Sequence, residues 1–194
     1  MTSDEDPADA VLASRAAQGD ERAFAMLVRR HQEPLYRLLR RYTGEADEAY
    51  EAAHEAFIAA WAAIRRYDPN RPFVAWLRTI AINKARDRGR RMAFRRLLFG
   101  ADSLDHSGAL DQADPGLAAD ETLAGREELA ILDRAIAGLP ASLKEALVLT
   151  AFEGWSQQQA GEILGVSAKT IETRAYRARK ILAQTLDPAL RPKA

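Results

Sequence analysis

The sequence predicts an all-α protein built as two small helical domains joined by a flexible linker. Three observations carry this. Apolar residues recur at helical spacing along most of the chain, no run alternates convincingly as a strand, and one central stretch rich in Gly, Asp, Ser and Pro has no periodicity. The boundaries that follow are 8–96 for the first domain, 97–120 for an acidic linker and 121–187 for the second domain.

In chain order, Ala8 to Gln18 and Glu21 to Arg41 are amphipathic, with Phe24, Leu27, Val28, Leu35, Leu38 and Leu39 as expected core. Pro34 must start a new helix or kink an existing one, because it lacks an amide donor. Thr43-Gly44 breaks the pattern. A long Ala/Glu-rich helix follows from Glu45 to Arg66, with five acids in its first half. Its apolar stripe reads as Tyr50, Ala53, Phe57, Trp61 and Ile64. Tyr67-Asp68-Pro69-Asn70-Arg71-Pro72 is a loop, and Phe73 to Met92 is helical again with Trp76, Leu77, Ile80 and Ala81 inward. The stretch from about Phe99 to Ala119 is too long for a compact-domain loop and suits a tether. A second helical unit starts near Glu121, is divided at Leu139-Pro140 and ends near Leu186.

Within that unit, GWSQQQAGEILGVSAKTIETRAYRARK reads as two helices joined by a tight turn. Ala160, Ile163 and Leu164 share a face of the first helix. Gly165 permits the left-handed geometry that ends it, and Ser167 can cap the next. In the second helix Ile171, Ala175, Ala178 and Leu182 form a buried stripe. Lys169, Thr173, Arg174, Tyr176, Arg177 and Lys180 are left to point elsewhere. Gly161 falls where the helices approach closely. This is the layout of a helix-turn-helix offering its second helix to the DNA major groove.

Charge supports nucleic-acid binding, although the chain is neutral overall, with 28 basic and 28 acidic residues. From Lys84 to Arg96 there are seven cations against the single acid Asp87, whereas Asp102 to Glu128 is dominated by acids. Such a run repels itself unless a polyanion relieves it. Aromatics at the start of the same helix could stack on unpaired bases while the arginines neutralise phosphate, although Trp76 lies on the apolar stripe and reads as core. There is no cysteine, and His31, His54 and His106 are scattered, so thiolate chemistry is excluded and no metal or other cofactor is expected. No Ser-His-Asp or Gly-rich phosphate constellation is discernible, which argues against an enzyme. No signal peptide or membrane span is legible, so the expected location is the cytoplasm.

The ordered set HQEPLYRLLRRYTG, then an acidic helix ending EAFIAAW, then YDPNRPFVAWLRTIAINKARDRGRR resembles conserved region 2 of the sigma-70 family. The closing half, LPASLKEALVLTAFEGWSQQQAGEILGVSAKTIETRAYRARKIL, is similar to region 4 of that family. The short connection between them resembles the extracytoplasmic-function (ECF) group. Two departures stand out: Glu51-Ala-Ala-His-Glu-Ala-Phe57 where the family usually has D-L-V-Q-E-V-F, and Gln157-Gln158-Gln159 with Gly161 in the first helix of the reading motif.

The resemblance implies a protein that binds core RNA polymerase, directs it to promoter DNA, helps open the strands and answers to an anti-sigma factor. It places Glu51, His54 and Glu55 on the polymerase. It assigns Tyr67, Asp68 and Asn70 of the loop, with Asn83, Lys84, Asp87, Arg88 and Arg91 of the basic helix, to the −10 element. Ser167, Lys169, Thr170, Thr173, Arg174 and Arg177 would enter the major groove at the −35 element. The acidic linker would restrain non-specific DNA binding. The competing reading is a stand-alone helix-turn-helix regulator with an N-terminal sensing domain.

Overall fold

A computed structural model describes residues 8–99 and 123–186, and among these the regular structure is entirely helical. The expected linker therefore lies almost wholly outside the described residues. The first unit comprises α1 (Asp9–Ala17), α2 (Glu21–Thr43), α3 (Ala46–Ala63) with a 3₁₀ turn at Ile64–Arg66, and α4 (Phe73–Phe99). Asp20 starts α2 by accepting hydrogen bonds from the Arg22 and Ala23 amides at 3.0 and 3.1 Å. α2 then runs unbroken through Pro34, so no new helix begins there. A long helix with a packed face tolerates the loss of one donor.

Leu12, Leu27, Leu35, Leu38, Leu39 and Leu77 are fully buried between these helices, each contributing about 1.5–3 kcal/mol of hydrophobic stabilisation. The stripe expected for α3 is not the one that packs. Ala49, Ala52, Ala53, Ala56 and Ala60 form its buried face, while Tyr50 is 67% and Trp61 37% exposed. Small side chains let α3 approach α2 and α4 closely, and the large residues are displaced to the flank. Ile64 and Ala53 are buried as expected, and Phe57 is partly so.

The second unit comprises α5 (Leu123–Ala137), α6 (Ala141–Leu147), α7 (Gln157–Leu164) and α8 (Ala168–Leu186). Its core holds Ile136, Leu149, Ile163, Ile171 and Leu182. α6 continues into a π-helical turn at Val148–Phe152, a local widening that re-aims the residues after it. Ser156 and Gln159 then form a reciprocal capping box at the start of α7.

The two units pack against each other, α2 on α5 and the π turn, and α4 on α7. Much of this seam is polar. Glu145 of α6, 2% exposed, accepts from Arg86 Nε and Nη2 at 2.8 and 2.7 Å and from the Tyr42 hydroxyl at 3.1 Å. Neighbouring Lys144 donates to the Tyr42 and Ala137 carbonyls at 2.9 and 2.7 Å, at the C-terminal ends of α2 and α5. That is where a cation best complements the helix dipoles. Just beyond the π turn, Glu153 accepts from Arg78 Nε at 2.7 Å, and Arg41 lies 4.6 Å from the centre of the Phe152 ring.

Candidate nucleic-acid interface

The reading motif is assembled from local signals. Gly165 has φ 69° and ends α7, and its neighbour Val166 donates to the Gly161 carbonyl at 2.9 Å. A Cβ on Gly161 would lie 2.6 Å from the Val166 carbonyl oxygen, so the turn is as tight as the sequence suggests. Ser167 caps α8 by accepting from the Thr170 amide at 3.2 Å, and the two hydroxyls lie 2.8 Å apart. Ile171, Ala175, Ala178 and Leu182 are buried.

On the outer face of α8, Lys169, Thr173, Tyr176, Arg177 and Lys180 are exposed, Tyr176 at 66%. Lys169 contacts Glu172 at 2.8 Å, but both side chains are well solvated, so the pair is weak and a phosphate can displace the carboxylate. Arg174 is half-buried. A concavity of about 370 Å³ lies beside this face, lined by Thr150, Gln157, Thr173, Tyr176 and Arg179. Of the six residues assigned to the major groove, Lys169, Thr173 and Arg177 stand together on the open face. Ser167 and Thr170 are engaged with each other at its N-terminal edge.

The loop before α4 and the helix itself carry the other set. Asp68 accepts from the amide and side-chain Nδ2 of Asn70, both at 2.9 Å, which folds the exposed loop into a tight turn. Tyr67 is not a free stacking ring. It is 8% exposed, donates its hydroxyl to the Arg71 carbonyl, and packs 5.7 Å from Phe73 and 5.2 Å from Trp76 between ring centres. Burial raises its phenol above the usual range. The aromatics around the loop are a pillar that holds it up, with His31 closing the cluster 5.5 Å from Phe73.

Along α4, Asn83 and Arg91 are exposed, Lys84 and Asp87 are half-buried, and Asp87 is ion-paired with Arg90. Arg88 does not face outward. It continues the stripe of Ala81 and Ala85 and reaches the acidic half of α3, donating to Glu48 at 2.9 Å and to Glu55 at 2.7 Å. The Glu48 hydrogen bond, with Glu55 beside it, holds the guanidinium still more firmly protonated. Glu55 is therefore committed to Arg88, whereas Glu51 and His54 are exposed on α3.

His54 opens onto a feature that periodicity concealed, a groove of about 970 Å³ between α2 and α3. Phe24, Val28, Tyr36, Phe57, Ile58 and Trp61 line it, with Glu21, Glu33 and Asp47 among its acidic groups. Phe24 and Trp61 meet there with ring centres 4.9 Å apart. The only sequence signal was two stripes on one helix, alanines on one side and large apolar residues on the other.

An exposed cationic face on α8, a second basic helix in α4 and an apolar groove between α2 and α3 are features suited to a protein that binds DNA and a protein partner. Comparison with known families narrows this. Residues 27–95 match the model for sigma-70 region 2, and residues 129–182 match that for sigma-70 region 4. The RNA polymerase sigma factor CnrH of Cupriavidus metallidurans is 39% identical over 93% of this chain and 95% of its own length. The ECF RNA polymerase sigma-E factor of Escherichia coli K12 is 31% identical over 94% of this chain and 96% of its own. A solved structure of CnrH in complex with the cytosolic domain of CnrY superposes with TM-score 0.69 and 35% identity, covering 94% of this chain and 99% of that one. The chain belongs to the sigma-70 family of RNA polymerase sigma factors, in its ECF group.

Proposed function

We propose that this ECF sigma factor binds core RNA polymerase through the α2/α3 groove and grips a promoter at two points. Lys169, Thr173 and Arg177 of α8 read the −35 element, with Ser167, Thr170 and Arg174 fixing the helix in place. Asp68 and Asn70 of the loop, with Asn83, Lys84, Asp87 and Arg91 of α4, engage the −10 element. Tyr67 and Arg88 serve this site from beneath, the first supporting the loop and the second fixing α4 to α3. The protein catalyses no reaction of its own; it supplies address and strand opening to the polymerase.

One observation supports this division most strongly: the open basic face of α8 and the apolar groove belong to different units, so DNA and polymerase need not compete for one surface. Within the groove, His54 stands beside Tyr50, Ile58 and Trp61, with Glu51 exposed on the same helix, and an apolar floor with a polar edge suits a helical partner. An anti-sigma factor would act by covering the same groove. Among the described residues no helix is long and apolar enough to cross a membrane, which fits action at cytoplasmic DNA. Gel filtration of the chain with purified core polymerase tests the proposal. Co-elution is expected for the native protein and loss of co-elution for Trp61→Asp. A protein that never co-elutes would refute the reading.

A further inference from the structure

The polar seam between the units does more than hold them together. Arg86 belongs to the cation run of α4, yet Glu145 engages it through both carboxylate oxygens, the forked geometry an arginine also offers to phosphate. Arg78, about two turns earlier on α4, is bound by Glu153, and Arg41 of α2 is covered by the Phe152 ring. Three arginines of the first unit are thus occupied by carboxylates or rings of the second. Resting on the reading of α4 as the −10 helix, we propose that Glu145 and Glu153 form an intramolecular latch, standing in for phosphate and keeping Arg86 and Arg78 from nucleic acid until the two units separate.

The composition of the seam suits a contact that opens. Arginine, lysine and carboxylate groups are readily solvated when they part, unlike a leucine interface, and contacts between units of one chain that separate are characteristically polar. The closed state is also imperfectly satisfied, because Arg78 Nη1 is buried without a hydrogen-bond partner. The π turn supplies the geometry. It displaces the chain after α6 so that Phe152 and Glu153 reach α2 and α4 while Glu145, about two turns earlier, reaches Arg86. Separation therefore releases both carboxylates together.

The chain has no cysteine, so Ala62→Cys and Ala183→Cys, both at exposed positions, allow a donor and an acceptor dye to be placed on the two units of the full-length protein. The native seam should give high transfer efficiency, and Glu145→Gln with Glu153→Gln should lower it. In the same variant, binding of a labelled single-stranded 12-mer DNA should show a log–log salt slope steeper by about 0.7 for each arginine freed. Exchanging the charges, Arg86→Glu with Glu145→Arg, should restore the native transfer efficiency. Unchanged transfer in the double variant, or lowered transfer with an unchanged salt slope, overturns the latch. Should the double variant lose helicity by circular dichroism, the exchanged variant decides: native transfer supports the latch and low transfer overturns it. The transfer measurement uses neither polymerase nor promoter, so it stands even if promoter-directed initiation fails.

Discussion

Gly161 and Val166 meet across the turn of the reading motif, with room for a hydrogen atom on Gly161 but not for a Cβ, which would lie 2.6 Å from the Val166 carbonyl oxygen. Valine in a helix normally gains a few tenths of a kcal/mol (about 0.3–0.5) over glycine in propensity, but overlap of this size wins. Gly161→Val is expected to destabilise the second unit by about 2 kcal/mol or more and to abolish binding to a −35 duplex. Thermal denaturation and fluorescence anisotropy check both. A native melting temperature would contradict the geometry.

Arg88 and Arg91 lie one turn apart on α4 and are expected to fail differently. Arg88→Ala leaves Glu48 and Glu55 without their shared cation and should cost about 1–2 kcal/mol of stability after solvent screening is allowed for. Arg91→Ala should leave stability within about 0.5 kcal/mol of native. It should instead flatten the log–log salt slope for duplex DNA by about 0.9. Equal losses of stability would mean that Arg88 does not fix α4 to α3.

Acid is expected to loosen the first unit through His31. The ring is buried, 2.7 Å from Asp9 and within the fields of Arg30 and Arg78. Burial lowers its pKa below the ordinary 6.5, with Asp9 opposing in part. A depressed histidine favours the folded state while neutral. Its contribution is complete above the unfolded value of 6.5 and declines as pH falls from there through the folded value. Melting temperatures between about pH 7 and 5 should fall for the native chain and fall less for His31→Gln.

Ile58 is 58% exposed on the wall of the apolar groove, so the fold does not depend on it. Ile58→Asp should leave the melting temperature unchanged and weaken binding to core polymerase by at least about tenfold, or 1.4 kcal/mol. Surface plasmon resonance with immobilised core enzyme measures this. Undiminished affinity would move the polymerase contact elsewhere.

What the sequence made legible was local. The helix-turn-helix was readable because Gly161, Gly165, Ser167 and the stripe from Ile171 to Leu182 act on neighbours a few residues away. The α3 stripe was misread because size is a poor guide to burial when alanines let helices close up; Ala52 and Ala56 are inside and Tyr50 is not. The resemblance assigned Tyr67 and Arg88 to nucleic acid, but both have partners within the protein. Those of Tyr67 lie in its own loop and at the start of α4, and those of Arg88 on α3, 33 and 40 positions away, where no local pattern points. The seam was illegible for the same reason: Arg86 and Glu145 are 59 positions apart, and no periodicity relates them.

The central claim, that this chain directs polymerase to promoters through two DNA contacts, is tested most directly by run-off transcription. Purified core polymerase is mixed with the native chain and a pool of genomic fragments, and the transcript starts are mapped. Discrete starts are expected, each preceded by the same pair of spaced sequence elements, with Arg177→Ala relaxing selectivity at the upstream element by about 1–3 kcal/mol. Identical transcripts with and without the chain would contradict the account.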